Sequence, residues 1–187
     1  LYNDHADLVI NVVDASNLES NLFLTFQLLE LGVPCIVALN MQDIAASQNI
    51  NIDVEALSVR LGCPVVSLTS TRGEGLAQLK ALIDNPHYYT SPERVRYPAN
   101  IEAAIHQLCA LMPASIHSQK RYWLALQLLE GDINSQHLCP TLMPHLADII
   151  QQAGGDTGVT IADYRYRAIH ALCATVSNIH HTAPGSL

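Results

Sequence analysis

The sequence predicts an α/β fold with a parallel sheet, followed by a second domain built only of helices. Three short β-branched segments alternate with stretches of helical periodicity in the first 84 residues. Beyond residue 100 the β-branched segments stop and only helical patterns follow. Strands that are apolar throughout and separated by helices are typical of a doubly wound parallel sheet, which helices cover on both faces.

The predicted strands have the sequences DLVINVVD, CIVALN and PVVSLTS and lie at 7–14, 35–40 and 64–70. The helix between the first two strands is indicated by apolar residues at helical spacing, which are Leu18, Leu22, Phe26 and Leu29. It should end at Gly32, and the next helix should end at Gly62, because glycine is favoured just past a helix C-terminus. Residues 75–84 predict one more helix after the third strand.

A change in composition predicts the domain organisation. Residues 84–100 contain three prolines and no apolar periodicity, as expected of a linker. We predict an α/β domain at 1–86, a linker at 87–99, a helical domain at 100–182 and a tail at 183–187. Apolar residues at helical spacing predict the last helix of the bundle, and they are Ile161, Ala168, Leu172, Val176 and Ile179.

Charge and cysteine usage exclude several classes of function. Nine Lys and Arg against seventeen Asp and Glu give a net charge of −8, which disfavours binding to a nucleic-acid backbone. The five cysteines are far apart in the sequence, which favours buried thiols in a reducing compartment over a zinc site. The histidines also lack the spacing of metal ligands, so no metal site is predicted. No apolar run approaches the roughly 18 residues of a membrane span, and we expect the chain to be soluble.

Polar residues follow each predicted strand, at the edge of the sheet where doubly wound folds bind ligands. They are Asp14 to Ser16, Asn40 to Asp43, and Thr69 to Arg72. Such residues can line a ligand site, and they can equally cap helices and initiate loops, as Asp14, Ser16 and Asn17 could before the first helix.

The pairing of two of these segments favours the ligand site. Asn40-Met41-Gln42-Asp43 followed by Thr69-Ser70-Thr71 resembles the N-K-x-D and S-A-K motifs with which GTPases hold guanine. An aspartate can accept hydrogen bonds from the ring N–H and the exocyclic amine of guanine, a pair of donors that adenine lacks. An unpaired carboxylate would reject adenine. Met41 stands where most GTPases have lysine.

The sequence around these motifs is more specific than the motifs themselves. The segments HADLVINVVDASNLESNL, LELGVPCIVALNMQDIA, LSVRLGCPVVSLTSTRGEGL and RYWLALQLLEGD resemble the FeoB family of bacterial ferrous-iron transporters. The resemblance covers nearly the whole chain and is weakest around 134–158. It implies the later part of a GTPase domain, followed by a helical domain similar in role to a guanine-dissociation inhibitor.

The resemblance also implies ligands and partners. Guanine-specificity residues would be Asn40, Met41 and Asp43, with Ser70 and Thr71 forming the other wall of the base pocket. The ligands would be GTP or GDP, with Mg²⁺ in the whole protein, which would bind and hydrolyse GTP to regulate Fe²⁺ uptake. The partner would be a transmembrane iron-permeation domain of the same polypeptide, at the cytoplasmic face of the bacterial inner membrane.

The chain departs from the GTPase pattern because it contains no G-x-x-x-x-G-K-[ST] phosphate loop and no D-x-x-G before the first strand. In the family these elements lie upstream of residue 1. We therefore assign no catalytic residue and expect that these 187 residues neither hydrolyse GTP nor bind it tightly. We also expect self-association through an open sheet edge.

Two other interpretations remain open from the residues themselves. The first is a non-enzymatic α/β and helical interaction module whose polar strand ends only cap helices. The second is a self-contained doubly wound enzyme, but the sequence has neither G-x-G-x-x-G nor G-x-S-x-G.

Overall fold

The computed structural model describes residues 6–69, 73–85 and 94–179. The chain forms two compact units that are not continuous in sequence. The first unit holds residues up to 29, residues from 33 to 93, and residues from 169 onward, while the second holds 30–32 and 94–168.

The first unit contains a three-stranded parallel sheet with the strand order β1-β2-β4. Its elements in chain order are β1 (Val9–Asp14), a 3-10 turn (Ala15–Asn17), α1 (Leu18–Leu31, of which 30 and 31 belong to the second unit), β2 (Cys35–Asn40), α2 (Gln42–Ser47), β3 (Ile50–Ile52), α3 (Val54–Leu61), β4 (Val65–Ser67) and α4 (Leu76–Asp84). The predicted parallel α/β fold is confirmed, and so is the end of α3 at Gly62, which adopts a left-handed φ of 65°.

Both faces of the central strand β2 are buried, as the uninterrupted apolar sequence predicts. Val37 and Leu39 lie in the larger core, together with Leu22 of α1 and Leu57 and Leu61 of α3. On the opposite face Ile36 and Ala38 contact a smaller cluster to which α4 contributes. The alternation of side chains along a strand therefore divides β2 between two layers of helices.

A second, two-stranded sheet was not predicted. β3 pairs antiparallel with β5 (Ser177–Ile179), and Asp53 donates its backbone N–H to Val176 at 2.8 Å. The prediction that Ile179 continues the last helix is wrong, because that helix ends at Val176. The spacing of apolar residues along a helix cannot indicate a strand partner that lies more than 120 residues away in the sequence.

The second unit is helical, as predicted. Its elements are α5 (Ala99–Leu111), α6 (Ser118–Leu129), α7 (Ile133–Leu138), a 3-10 turn (Pro140–Leu142), α8 (Met143–Gln152) and α9 (Thr157–Val176, of which the residues from 169 belong to the first unit). Ile101, Ile105 and Leu108 of α5 are fully buried, as the periodicity of that helix indicates.

The contact-based units differ from the sequence-based domain boundaries at α9. Ile169, Leu172, Cys173 and Val176 are buried in the larger core of the first unit. They are buried there because the apolar stripe of α9 continues past residue 168. The boundaries 1–86, 87–99, 100–182 and 183–187 stay a prediction about domains, and 183–187 lies outside the described residues.

Candidate functional site

The parallel sheet brings the carboxyl ends of its strands to one edge, as predicted. Asp14 is the register partner of Asn40, and Leu39 is the register partner of Ser67. Three polar strand ends therefore lie side by side in the order β1, β2, β4. The segment Asn40 to Asp43 is at the centre of this edge, where doubly wound folds bind ligands.

Met41 makes the turn from β2 into α2 within a single residue. Its backbone is left-handed, with φ 59° and ψ 34°. Such a conformation costs an L-residue about 1–2 kcal/mol, and strain of this kind gathers at functional sites. The Met41 carbonyl accepts from the N–H of Ala45 at 3.0 Å, and the residue remains 41% exposed. The turn thus presents Met41 to solvent at the edge of the sheet.

Asp43 lies in the first turn of α2, and its side chain is exposed. Asn40 is half-buried at the last position of β2. The turn therefore places an amide and an exposed carboxylate in one short segment. Together they can offer both acceptors and donors to a planar ligand.

Gln42 ties this turn to the neighbouring strand. Its side-chain Nε2 donates to the hydroxyl of Ser67 at 3.1 Å. Sequence reasoning assigned Gln42 no role, although its place inside the N-x-x-D motif and the outward position of Ser67 on β4 were visible signals. The hydrogen bond joins the two segments that the guanine motifs predict to act together.

The loop that follows β4 is closed by backbone contacts. Leu68 donates its N–H to the carbonyl of Leu39 at 2.7 Å, and Thr69 donates to Glu74 at 3.3 Å. Gly75 has φ 83°, and a side chain there would collide with the Ser67 carbonyl, so only glycine fits. Ser70 and Thr71, the predicted second wall of the base pocket, lie outside the described residues.

The end of β1 follows the capping interpretation. The Asp14 carboxylate accepts from the N–H of Ser16 at 2.8 Å and from its hydroxyl at 2.7 Å. Asn21 reaches back to the Asn17 carbonyl at 2.9 Å. These side chains stabilise the start of the 3-10 turn and of α1. The polar residues at the end of β1 therefore stabilise the local backbone.

Two kinds of feature are absent from the described residues. In that part of the chain no three His, Cys, Asp or Glu side chains gather where they could hold a metal ion. In the same residues no helix combines the length and apolarity that crossing a bilayer requires.

Two sequence-family models match the chain. The model described as ferrous iron transport protein B matches residues 1–83, and the model described as the FeoB cytosolic helical domain matches residues 97–178. The solved cytosolic domain of L. pneumophila FeoB is 30% identical, with a TM-score of 0.85 over 94% of this chain and 70% of that one. The chain belongs to the FeoB family.

Two other FeoB proteins extend the comparison. A GDP-bound mutant of the S. thermophilus FeoB G-domain is 32% identical with a TM-score of 0.80, over 94% of this chain and 71% of that one. The Fe(2+) transporter FeoB of Escherichia coli K12 is 51% identical over 176 residues, or 92% of this chain. The chain spans 23% of that transporter's length. The predicted resemblance and the predicted fold class, a FeoB-type G-domain sheet followed by a helical domain, are both confirmed.

Proposed function

We propose that this chain is part of the cytosolic GTP-binding region of a bacterial ferrous-iron transporter, with residues Asn40 to Asp43 recognising the guanine base. The observation that carries the proposal is the left-handed turn at Met41, which presents the exposed Asp43 at the carboxyl edge of the parallel sheet. The GDP-bound state of a FeoB relative supports a guanine nucleotide as the ligand.

The chemistry of the turn suits guanine better than adenine. The Asp43 carboxylate accepts from the ring N–H and the exocyclic amine of guanine, and each hydrogen bond to a charged group contributes about 1.5–3 kcal/mol. Asn40 extends the polar edge, and the Met41 thioether supplies an apolar surface beside the base. Ser70 and Thr71 are the residues proposed for the other wall of the base pocket.

The proposal extends to the whole transporter. Its GTP-binding region would bind and hydrolyse GTP with Mg²⁺ and would regulate passage of Fe²⁺ through a transmembrane domain of the same polypeptide at the inner membrane. The helical unit would supply the surface that couples nucleotide state to that domain, in a role similar to a guanine-dissociation inhibitor. Residues 1–86 would form the G-domain part and residues 100–182 the helical domain.

The specificity experiment uses the full-length transporter and compares GDP with ADP. We expect Asp43→Ala to abolish the preference for guanine, because the carboxylate that distinguishes the bases is gone. Asp84→Ala is the matched control, since Asp84 is also an exposed aspartate, at the end of α4. A full-length protein that binds neither nucleotide would favour the non-enzymatic interaction module instead.

The isolated chain should bind nucleotide weakly. The 187 residues contain no G-x-x-x-x-G-K-[ST] segment to hold the β- and γ-phosphates, so only contacts to the base are available. A titration with fluorescently labelled GDP tests this expectation. Micromolar or tighter binding by these residues alone would contradict it.

We also propose self-association through β1. Within the described residues β1 pairs with β2 on one side, and its other side is open. Ile10 and Val12 on this strand are 41% and 61% exposed. Open edges with apolar side chains template pairing between copies. Light scattering should show oligomers that Val12→Lys removes, and a wild-type monomer at high concentration would refute the proposal.

A further inference from the structure

Two buried cysteines lie side by side in the first unit. Val37 of β2 pairs with Val65 of β4, and Val37 donates its N–H to the Pro64 carbonyl at 2.9 Å. Continuing this register two residues toward the amino terminus brings Cys35, the first residue of β2, opposite Cys63, which lies two residues before β4 begins. Their exposed fractions are 1% and 4%, and both are free thiols.

This separation suits a disulfide bond. Neighbouring strands of a sheet lie about 4.8 Å apart, within the roughly 4.4–6.8 Å that a disulfide requires between α-carbons. The two side chains face one another, since a hydrogen bond joins the Cys35 and Cys63 thiols. Ser58 holds the backbone at Cys63 through a hydrogen bond to its carbonyl at 2.8 Å.

The two thiols are not equivalent. A hydrogen bond from the Cys63 thiol lowers the pKa of Cys35 against the opposing effect of burial, and the Asn11 backbone N–H assists. The same hydrogen bond, together with burial, raises the pKa of Cys63. Burial raises the pKa of each of the other three cysteines, Cys109, Cys139 and Cys173. Cys35 is therefore the best placed of the five to be the attacking thiolate.

We propose that Cys35 and Cys63 are an oxidisable dithiol that closes to an intrachain disulfide between the first residue of β2 and the segment just before β4. With diamide as the oxidant, the Cys35 thiolate adds to the azo nitrogen. The Cys63 sulfur then attacks the Cys35 sulfur, so that the S–S bond forms and the S–N bond breaks. The two thiol protons and two electrons end on the hydrazine product.

The bridge has a defined place relative to the candidate site. It joins the amino-terminal ends of two strands whose carboxyl ends carry the turn at Met41 and the loop after Ser67. It also closes a covalent loop from Cys35 to Cys63, which contains α2, β3 and α3. Because both sulfurs are buried, the oxidant reaches them through local opening, and the reaction is slower than at an exposed thiol.

The test treats the native protein with diamide, alkylates the remaining thiols and maps the disulfides by mass spectrometry. We expect a linked Cys35–Cys63 peptide as the main product, with the loss of two hydrogen atoms, and its disappearance on reduction. An unchanged circular dichroism spectrum identifies the native state as the one oxidised. Cys139→Ser, which removes another buried thiol, should leave the linked peptide in place.

Two results would overturn the proposal. One is the absence of the Cys35–Cys63 peptide under conditions in which the urea-unfolded protein oxidises fully. The other is a map dominated by a bridge from Cys63 to Cys173, which lies in the same core. Both results come from the wild-type protein, so neither depends on whether a Cys63→Ser variant folds.

Discussion

Arg165 and Glu30 form an ion pair from which solvent is excluded. The guanidinium Nη2 lies 2.9 Å from the carboxylate Oε2, and the two side chains are 0% and 5% exposed. Tyr97 donates its hydroxyl to the same carboxylate at 2.6 Å, and Glu130 accepts from Arg165 Nη1 at 2.8 Å. The network joins α1, the segment before α5, the end of α6 and α9 within the second unit.

We expect Arg165→Met to lower the free energy of unfolding by about 3–5 kcal/mol, because it leaves the Glu30 charge buried without its cation. Urea unfolding followed by circular dichroism measures the change. Arg167→Met is the matched control: its pair with Asp163 spans 2.8 Å between side chains that are 69% and 49% exposed. An exposed pair contributes about 0–1 kcal/mol, so equal losses in the two variants would contradict the interpretation.

The loss in Arg165→Met should depend on pH. Burial raises the pKa of Glu30 above its ordinary value of 4.5, while Arg165 and Tyr97 oppose that rise. Without Arg165 the folded-state pKa rises further, so the native state keeps a proton that the unfolded state releases. The free energy of unfolding of the variant then falls as pH increases above about 4.5.

Urea titrations of wild type and variant from pH 4.5 to pH 8 measure this dependence. The free energy of unfolding should fall by about 1.4 kcal/mol for each unit by which the pKa of Glu30 rises further in the variant. The double variant Arg165→Met/Glu30→Gln should lose the added slope, because it has no carboxyl to titrate at this position. A variant penalty that stays constant across the range would rule out Glu30 as its source.

The left-handed backbone at Met41 gives a test of the turn. We expect Met41→Val to destabilise the protein by about 1–3 kcal/mol, because β-branched residues tolerate positive φ poorly. Met41→Leu is the control, since leucine has similar volume and no branch at Cβ, and it should change stability little. Identical urea midpoints for the two variants would show that position 41 is not left-handed.

Gly75 and Gly131 form a matched pair with φ 83° and 82°. Alanine at either position costs about 1–2 kcal/mol from the backbone conformation. At Gly75 the added methyl group also meets the Ser67 carbonyl, whereas at Gly131 it meets nothing within 4 Å. We expect Gly75→Ala to cost about 1–3 kcal/mol more than Gly131→Ala in thermal unfolding. Equal costs would mean that the loop after β4 relaxes freely.

Local patterns in the sequence predicted the three strands of the parallel sheet, the ends of α1 and α3, and the polar segment at Asn40 to Asp43. Each of these depends on residues close together in the chain, such as the uninterrupted apolar β2 or the glycine that ends α3. The buried state of Arg165 was not predictable in this way, because its partner Glu30 lies 135 residues earlier.

The same reason explains the other differences. Cys35 and Cys63 looked like isolated buried thiols until the parallel register placed them together. Ile179 fitted the helical spacing of α9, and only its antiparallel partner Ile50 makes it part of a strand. Sequence periodicity reports which face of an element is buried, but not which distant element covers it.

The return of α9 and β5 to the first unit has a consequence for synthesis on the ribosome. The core around β2 lacks Ile169, Leu172 and Val176 until about 100 residues beyond β4 have been translated. Translation proceeds at about 5–20 residues per second, so the apolar surface of the sheet stays exposed for several seconds after its last strand has been synthesised. All residues of the helical unit have been translated by residue 168, so this unit can fold before the unit that begins earlier in the sequence.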